Sequence, residues 1–315
     1  MLDLIIFFLS FILIALVAGN NLSACSGAII SGRAVSKRFG ILLTVAGYIL
    51  GLVMQGQILK GGIYALLPNS SPLAVAVALS IGVIVFIYSH IKKVPQSLSM
   101  TFSSAILGIS IASGFKTNLT FLLSMSSFWV LAPIVSIILV LFMMRISNHL
   151  VNKRHIWKTV GRIRLLLIIV SFFTAFTLGA NTMGLLYSSL PSSVYNLPIA
   201  ISGIIIGSFL LSGRELKRIS SDIITIRYLN SLNSQFASTL IVEIATLFGI
   251  PLSNTQIFTT SIYGAGLSYR NRIIKKKPAK EIIYVWIVMI LASMTLEGIF
   301  EVLNINMSCS ALHRH

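Results

Sequence analysis

Two stretches of the chain, VPQSLSMTFSSAILG at residues 94–108 and IPLSNTQIFTTSIYG at residues 250–264, follow one pattern. Each has a proline, hydroxyl side chains two and four positions after it, and a glycine 13 positions after it. The prolines are 156 positions apart, and Trp129 and Trp286 are 157 positions apart. Because unrelated apolar segments would not keep this spacing, the sequence predicts two copies of one structural unit.

Long apolar runs occupy most of the sequence. Mean hydropathy is +0.94 and 10% of the residues are charged, against about a quarter in soluble domains. Backbone polar groups inside a bilayer must be satisfied within their own segment, so runs of about 20 apolar residues predict membrane-spanning helices. The prediction is therefore an all-α, polytopic membrane protein. The clearest runs are Leu4–Ala18, Phe39–Leu59, Leu73–Ile91, Leu119–Met144, Leu165–Leu178, Leu197–Leu211 and Ile282–Leu303.

Basic residues between these runs indicate the orientation. The net charge of +17 is scattered rather than gathered in one domain, which argues against nucleic-acid binding. With the N-terminus outside and five crossings per half, all of the 24 Lys and Arg residues except Lys60, Lys116 and Arg314 lie on the cytoplasmic side. Four crossings per half would put the central basic loop outside. We therefore expect about ten crossings of the cell membrane and both termini outside, with Met1–Ala18 as the first span and not a cleaved signal.

An odd number of crossings per copy turns the second copy upside down relative to the first. Inverted repeats with broken or re-entrant helices are typical of secondary transporters, whose binding sites lie near the bilayer midplane. The predicted organisation is a first inverted repeat at residues 1–145, a cytoplasmic basic linker at 146–163 and a second inverted repeat at 164–315.

Two asparagine motifs are candidates for an anion site. Residues 18–21 read AGNN and residues 179–182 read GANT, and Asn20 and Asn181 are 161 positions apart. Glycine and asparagine are weak helix formers, so each motif is expected to break its helix and expose anion-binding backbone N–H groups. The alternative is a notch of small residues where two helices pack. The candidate side chains are Asn20, Asn21, Asn181 and Thr182.

The repeated proline segments supply hydroxyl groups. Proline suits the first turn of a helix, so Ser97 and Ser99 in one copy, and Ser253 and Thr255 in the other, are expected beside unpaired N–H groups. The alternative is that each hydroxyl bonds back to its own helix. Because the segment occurs twice, we favour an anion site where the two copies meet.

One carboxylate is expected deep in the membrane. Glu243 lies within an apolar run, whereas Glu297 and Glu301 are near the outer end of the last span. Ionisable residues inside membranes often mark ion or proton pathways, so Glu243 is a candidate proton-binding group, with a structural hydrogen bond as the alternative. The sequence has no metal-ligand spacing, nucleotide-binding loop or catalytic triad, so no metal, cofactor or enzyme activity is predicted.

Over nearly its whole length the sequence resembles the inorganic phosphate transporter family, which includes a sulfate-permease branch. The family's PVSTTH segment, with its glycine 13 positions after the proline, corresponds to Pro95–Gly108 and Pro251–Gly264. Its GANDVAN motif corresponds to Ala18–Ala24 and Gly179–Leu185, and its GSR motif to Ser31–Arg33. The resemblance implies inverted repeats, a central anion site and import driven by sodium or protons.

The departures from the family pattern remove acids. The family aspartate is Asn21 in the first copy and Thr182 in the second, and the family glutamate before the second proline is Gln235. Hard cations bind carboxylate oxygens, so these changes make sodium coupling less favourable than proton coupling or uncoupled passage. Gln235 and Glu243 are therefore the candidate coupling residues.

The predicted function is a permease that moves inorganic phosphate across the cytoplasmic membrane with a coupling ion, sodium or a proton. A sulfate permease of the same fold is the first alternative, because sulfate cannot donate a hydrogen bond to a carboxylate and so suits a site without acids. An anion channel, an amino-acid carrier and a non-transporting membrane sensor are the others. The expected partners are phosphate or sulfate and the lipid bilayer, and a homo-oligomer is compatible with the sequence.

Overall fold

The computed structural model of the 315-residue chain describes residues 2–31, 33–66, 72–92, 96–112, 114, 118–150, 156–222 and 228–268, with shorter helical pieces between 284 and 302. All regular structure in these residues is helical. The helices are α1 (Leu2–Ser31), α2 (Lys37–Gln55), α3 (Leu59–Leu66), α4 (Pro72–Lys92), α5 (Leu98–Ala112), α6 (Leu119–Leu150), α7 (Ile156–Leu178), α8 (Gly184–Ser189), α9 (Asn196–Asp222), α10 (Tyr228–Leu247) and α11 (Asn254–Leu267).

Five of the described helical stretches are long and apolar enough to cross a membrane. Their outer faces expose large apolar side chains such as Phe8, Ile84 and Phe142, which suits contact with lipid. The predicted all-α, multi-pass membrane fold is therefore confirmed, while the total of ten crossings and the outside termini stay predictions. Of the predicted linker 146–163, the residues to Leu150 are still in α6 and those from Ile156 are already in α7.

The helix break predicted at residues 18–21 is wrong. Helix α1 runs without interruption from Leu2 to Ser31, through Asn20 and Asn21. The low helix propensity of glycine costs only about 1 kcal/mol, and close packing of α1 between its neighbours outweighs it. The corresponding segment of the second half, Gly179–Met183, forms a π turn that joins α7 to α8, so there too the helix is distorted but continuous.

The helices that follow the two prolines are shorter than a full membrane span. Pro95 lies outside the described residues, but α5, which follows it, has only 15 residues, and α11, which follows Pro251, has 14. At 1.5 Å per residue these helices are about 21–22 Å long, shorter than the hydrocarbon core of about 30 Å. Helices of this length suit the broken or re-entrant segments that the sequence predicts, and the crossing of each segment stays a prediction.

Contacts between the halves repeat at a constant spacing. Gly47 on α2 packs against Ala175 on α7, and Gly207 on α9 packs against Ala15 on α1, so both partners are shifted by 160 positions. A methyl group on Gly207 would overlap the carbonyl oxygen of Ala15. Gly19 lies in a similar close contact, because a Cβ atom added to it would lie 2.9 Å from the Gly207 carbonyl oxygen. The alternative of a helix-packing notch made of small residues therefore holds at Gly19.

The direction of these helices shows that the repeats are inverted. Helix α7 begins close to where α1 ends, since Arg164 Nε donates to Ala34 O at 2.7 Å. Helix α2 runs parallel to α7, since Gly47 meets Ala175 and Gly51 meets the backbone of Ala180, so α1 and α2 are antiparallel. Along α9, Gly203 meets Ile14 and Leu211 meets Gly19, so α9 runs parallel to α1. The equivalent helices α2 and α9 therefore run in opposite directions.

The short helices pack on the opposite halves. Gly108 of α5 lies against the backbone of Met294, and Gly264 of α11 lies against the backbone of Ile137 in α6. These two contacts are again related by the repeat spacing, 156 positions for the glycines and 157 for their partners. Each short helix thus rests on a helical segment of the other repeat.

The glycine contacts make a matched pair of substitutions informative. We expect Gly207→Ala to lower stability by about 1–3 kcal/mol, because the added methyl group must push α1 away from α9. Gly161→Ala in α7 is the control, since nothing lies within 4 Å of the added carbon. Thermal unfolding of the purified protein in detergent measures both; equal midpoints for the two variants would contradict the close α1–α9 packing.

Candidate functional site

A tight turn ends α10 and begins the loop that leads to α11. Gly249 has a φ of +67°, a conformation that glycine adopts without strain. Its N–H donates to Thr246 O at 2.9 Å, and the N–H of Ile250 donates to Ala245 O at 2.9 Å. These bonds satisfy carbonyl groups in the last turn of α10 and turn the chain back into the protein.

Asn181 holds the backbone of this loop. Its Nδ2 donates to Ile250 O at 3.1 Å and to Thr246 Oγ1 at 2.9 Å, and its Oδ1 accepts from the N–H of Leu252 at 3.1 Å. Trp129 Nε1, from the other repeat, donates to Pro251 O at 3.0 Å. An extended backbone segment inside the bilayer is thereby satisfied by protein groups instead of water.

The first repeat uses the same device with fewer bonds. Asn20 Nδ2 donates to Gln96 O at 3.4 Å, in the loop before α5. Gln96 is related to Leu252 by the proline spacing, so each asparagine binds the equivalent loop of its own repeat. The side chain of Gln96 crosses into the helix and donates to Thr101 Oγ1 at 2.7 Å.

Two of the predicted hydroxyls cap the short helices. Ser253 Oγ accepts from the N–H of Gln256 at 3.2 Å, and Ser97 Oγ accepts from the N–H of Met100 at 3.3 Å. These are N-cap bonds, so the alternative that hydroxyls bond to their own helix holds for these two serines. Thr255 Oγ1 lies 3.3 Å from Ser253 Oγ.

Each N-cap serine binds one backbone N–H group, and two further N–H groups at the start of each short helix remain available. The N–H groups of Leu98 and Ser99 in α5, and of Asn254 and Thr255 in α11, make no hydrogen bond to any residue that the structure describes. They are the first N–H groups of their helices, where the helix dipole concentrates positive charge. Such groups bind anions when space for one is available.

All eight predicted site residues are buried, but their roles differ. Both amide hydrogens of Asn181 are engaged with the protein, so this side chain positions the loop and has no N–H left for a ligand. Anion binding through the remaining side chains stays a prediction. The buried set comprises Asn20, Asn21, Ser97, Ser99, Asn181, Thr182, Ser253 and Thr255.

Helix α10 connects the two halves of the site. Ser238 Oγ donates to Asn254 Oδ1 at 2.9 Å, at the start of α11. Gln235 lies one helical turn before Ser238 in α10, and its Nε2 donates to the carbonyl oxygen of Cys25 at 3.1 Å. Cys25 lies one helical turn after Asn21 in α1. Among the described residues no hydrogen bond joins the start of α5 directly to the start of α11, so the structure relates them through α1 and α10.

The candidate coupling residues lie on a polar seam between α7 and α10. Glu243 is half-buried, and its Oε2 accepts from Thr177 Oγ1 at 2.8 Å. Sequence analysis missed the rest of the seam, although Ser171, Thr174 and Thr177 recur every three residues. The other bonds are Ser171 to Gln235 at 2.7 Å, Thr174 to Thr239 at 2.7 Å and Asn181 to Thr246 at 2.9 Å.

The inverted halves, the short helices and the asparagine-bound loops define the chain as a polytopic membrane protein of transporter architecture. The solved structure of a sodium-dependent phosphate transporter matches it with a TM-score of 0.79 at 15% identity, over 95% of this chain and 98% of that one. That match concerns the fold.

The sequence comparisons agree with this class. Residues 151–297 match the phosphate transporter family. A putative phosphate permease of Methanocaldococcus jannaschii is 25% identical over 280 residues, which are 89% of this chain and 90% of that protein. A sulfate permease of Bacillus subtilis is 23% identical over 270 residues, 82% of this chain and 75% of that protein. The predicted resemblance to the inorganic phosphate transporter family is thereby confirmed.

The two asparagines should differ in their contribution to stability. Asn181→Leu would leave a buried carbonyl and a buried N–H group unpaired, each at a cost of about 1–3 kcal/mol, whereas Asn20→Leu would remove one bond of 3.4 Å. We expect the unfolding midpoint of the purified protein to fall further for Asn181→Leu than for Asn20→Leu. The reverse order would contradict the assigned role of Asn181.

Proposed function

We propose that the protein is a phosphate permease, a secondary transporter that moves inorganic phosphate across the membrane. The observation that carries this proposal is the pair of short helices in inverted repeats, each starting inside the protein with unpaired backbone N–H groups. The matching family and a relative named as a phosphate permease support phosphate as the substrate.

The chemistry of both helix starts suits an oxyanion. The donors are backbone N–H groups, strengthened by the helix dipole, and the adjacent hydroxyls are those of Ser99 and Thr255. The positions of the family acids carry Asn21, Thr182 and Gln235, so no carboxylate from them repels a bound anion. A tetrahedral oxyanion with four acceptor oxygens can use several such donors together.

The inverted repeat supports a carrier rather than a continuous pore. The halves meet at glycine notches on α1 with α9 and on α2 with α7, and each short helix rests on the opposite repeat. Related folds alternate access by rocking one repeat against the other around a fixed site. Equivalent packing on both sides allows two states of similar energy, which a carrier requires.

The first test is uptake of labelled phosphate into proteoliposomes. We expect Thr255→Val to raise the KM for phosphate about tenfold, because one lost hydrogen bond is worth about 1.4 kcal/mol at a charged ligand. Ser253→Ala should also raise the KM, because losing the N-cap bond to the N–H of Gln256 disturbs the start of α11. Ser127→Ala is the control, since among the described residues this exposed hydroxyl on α6 bonds only to Leu123 O in its own helix. If both site variants show the same uptake kinetics as the unsubstituted protein, the assignment of the site to the start of α11 is contradicted.

Sulfate is the second candidate substrate. The neutral residues at the family's acidic positions, and the similarity to a Bacillus subtilis sulfate permease, favour it specifically. Hydrogen phosphate has an O–H group that can donate a hydrogen bond to a carboxylate, whereas sulfate has no such donor. The same uptake assay with unlabelled sulfate as competitor distinguishes them: a phosphate permease requires a lower inhibition constant for phosphate than for sulfate.

We also propose that a proton, and not sodium, is the coupling ion. Gln235 replaces the family glutamate, and its Nε2 donates to the Cys25 carbonyl at 3.1 Å. The amide N–H of Gln235 thus occupies the Cys25 carbonyl oxygen, which a bound cation would need as a ligand. The amide oxygen of Gln235 accepts a hydrogen bond from Ser171 Oγ at 2.7 Å. Among the described residues, Glu243 is the carboxylate in the seam between α7 and α10. It accepts a hydrogen bond from the hydroxyl of Thr177.

Coupling is tested by uptake in sodium-free buffer with an acidic exterior. We expect the unsubstituted protein to accumulate phosphate, and Glu243→Gln to lose accumulation while still exchanging internal for external phosphate. Thr239→Val is the matched control because it removes a neighbouring bond of the seam without removing a titratable group. Accumulation by Glu243→Gln, or a strict sodium requirement, would contradict proton coupling through this residue.

A further inference from the structure

A buried amide oxygen without a partner lies at the start of α5. Gln96 is 1% exposed, and its Oε1 accepts no hydrogen bond from any residue that the structure describes. Buried side-chain oxygens are normally hydrogen-bonded, so an unpaired one needs a reason. The equivalent position of the second repeat carries Leu252, which has no side-chain oxygen to pair. The repeated fold therefore does not require a polar side chain at this position.

The bonds of Gln96 place this oxygen beside the first turn of α5. Asn20 Nδ2 donates to the backbone oxygen of Gln96 at 3.4 Å and so holds the residue just before the helix. The side chain of Gln96 reaches forward, and its Nε2 donates to Thr101 Oγ1 at 2.7 Å, which leaves Oε1 as the free end of the amide. Thr101 lies one helical turn after Leu98, so the amide lies along the turn whose first backbone N–H groups, those of Leu98 and Ser99, are unpaired among the described residues.

Donors and an acceptor in one helical turn can distinguish oxyanions by their protons. The backbone N–H groups bind any tetrahedral oxyanion, whereas the amide oxygen accepts a hydrogen bond from an O–H group and repels an oxygen that carries no proton. At neutral pH phosphate and arsenate keep an O–H group, and sulfate and selenate do not. A site built to pair a substrate O–H group rejects an analogue without it, because the buried acceptor then stays unpaired.

We propose that Gln96 selects oxyanions that carry a proton, phosphate and arsenate, over sulfate and selenate. The proposal rests on the proposed function and names a specificity-determining side chain at the start of α5. The family's acidic positions carry Asn21, Thr182 and Gln235 in this chain, so a carboxylate from them cannot accept the phosphate O–H group. The free Oε1 of Gln96 supplies an acceptor in their place.

The experiment is phosphate uptake into proteoliposomes by Gln96→Met, with arsenate, sulfate and selenate as competitors. Methionine keeps the length of the side chain and removes the amide. We expect the KM for phosphate and the inhibition constant of arsenate to rise about tenfold, the loss of one hydrogen bond, with the inhibition constants of sulfate and selenate unchanged within about twofold.

Gln55→Met is the matched control. Gln55 ends α2, and its Oε1 is also buried without a partner, but among the described residues no hydrogen bond joins it to α5 or α11. This variant should leave all four constants unchanged, because the same unpaired oxygen then lies away from both helix starts.

A second variant tests the acceptor directly. Gln96→Glu keeps an acceptor and adds a negative charge, so it should still transport phosphate and lose inhibition by sulfate and selenate, which have no proton to offer a carboxylate. Equal weakening of all four oxyanions in Gln96→Met would overturn the proposal, since the amide would then donate its N–H groups or only support the helix. Four unchanged constants would overturn it as well.

A binding measurement separates this proposal from the proposed function. Titration calorimetry of the purified protein in detergent measures the affinities for phosphate and sulfate without transport. If the protein transports no phosphate, but Gln96→Met weakens phosphate binding and not sulfate binding, the permease function is refuted and the role of Gln96 is kept. If the unsubstituted protein and Gln96→Met take up and bind phosphate equally well, the permease function is kept and the role of Gln96 is refuted.

Discussion

The requirement that buried backbone groups be paired inside a membrane governs this structure. A short helix that starts within the bilayer must be preceded by extended chain, whose N–H and C=O groups have no water to bind. Asn181 meets this requirement by bonding both Ile250 O and the N–H of Leu252, and Asn20 does so less completely at Gln96 O. The donors left over are the first N–H groups of α5 and α11, which are the ones an anion can use.

Glycine contacts then place these helix starts in a common framework. Helices α1 and α9, and equivalently α2 and α7, approach until their backbones touch, because Gly207 and Gly47 carry no side chain. Since α5 and α11 each rest on the opposite repeat, a movement between repeats also moves the helix starts. The α7–α10 seam, with Glu243 in it, runs beside the same framework and ends at Asn181. Binding, coupling and conformational change are thus carried by one set of helices.

The spacing of prolines, glycines and asparagines was enough to predict the inverted repeat, because repeated structure needs repeated landmarks. The predicted break at Asn20 was wrong because weak local propensity does not outweigh close helix packing. The bonds of Asn181 could not be predicted from the sequence, because its partners at Ile250 and Leu252 are about 70 positions away. Such long-range bonds, like the Thr177–Glu243 pair, leave no local pattern.

The most direct test of the account is a cryo-electron microscopy structure determined with phosphate, or with its heavier analogue tungstate, at saturating concentration. The account predicts tetrahedral density within hydrogen-bond distance of the N–H groups of Asn254 and Thr255, of Leu98 and Ser99, or of both pairs, with Asn181 still bound to the loop. Density confined to sites away from both helix starts, or an occupied site reached only after Asn181 releases the loop, would contradict it.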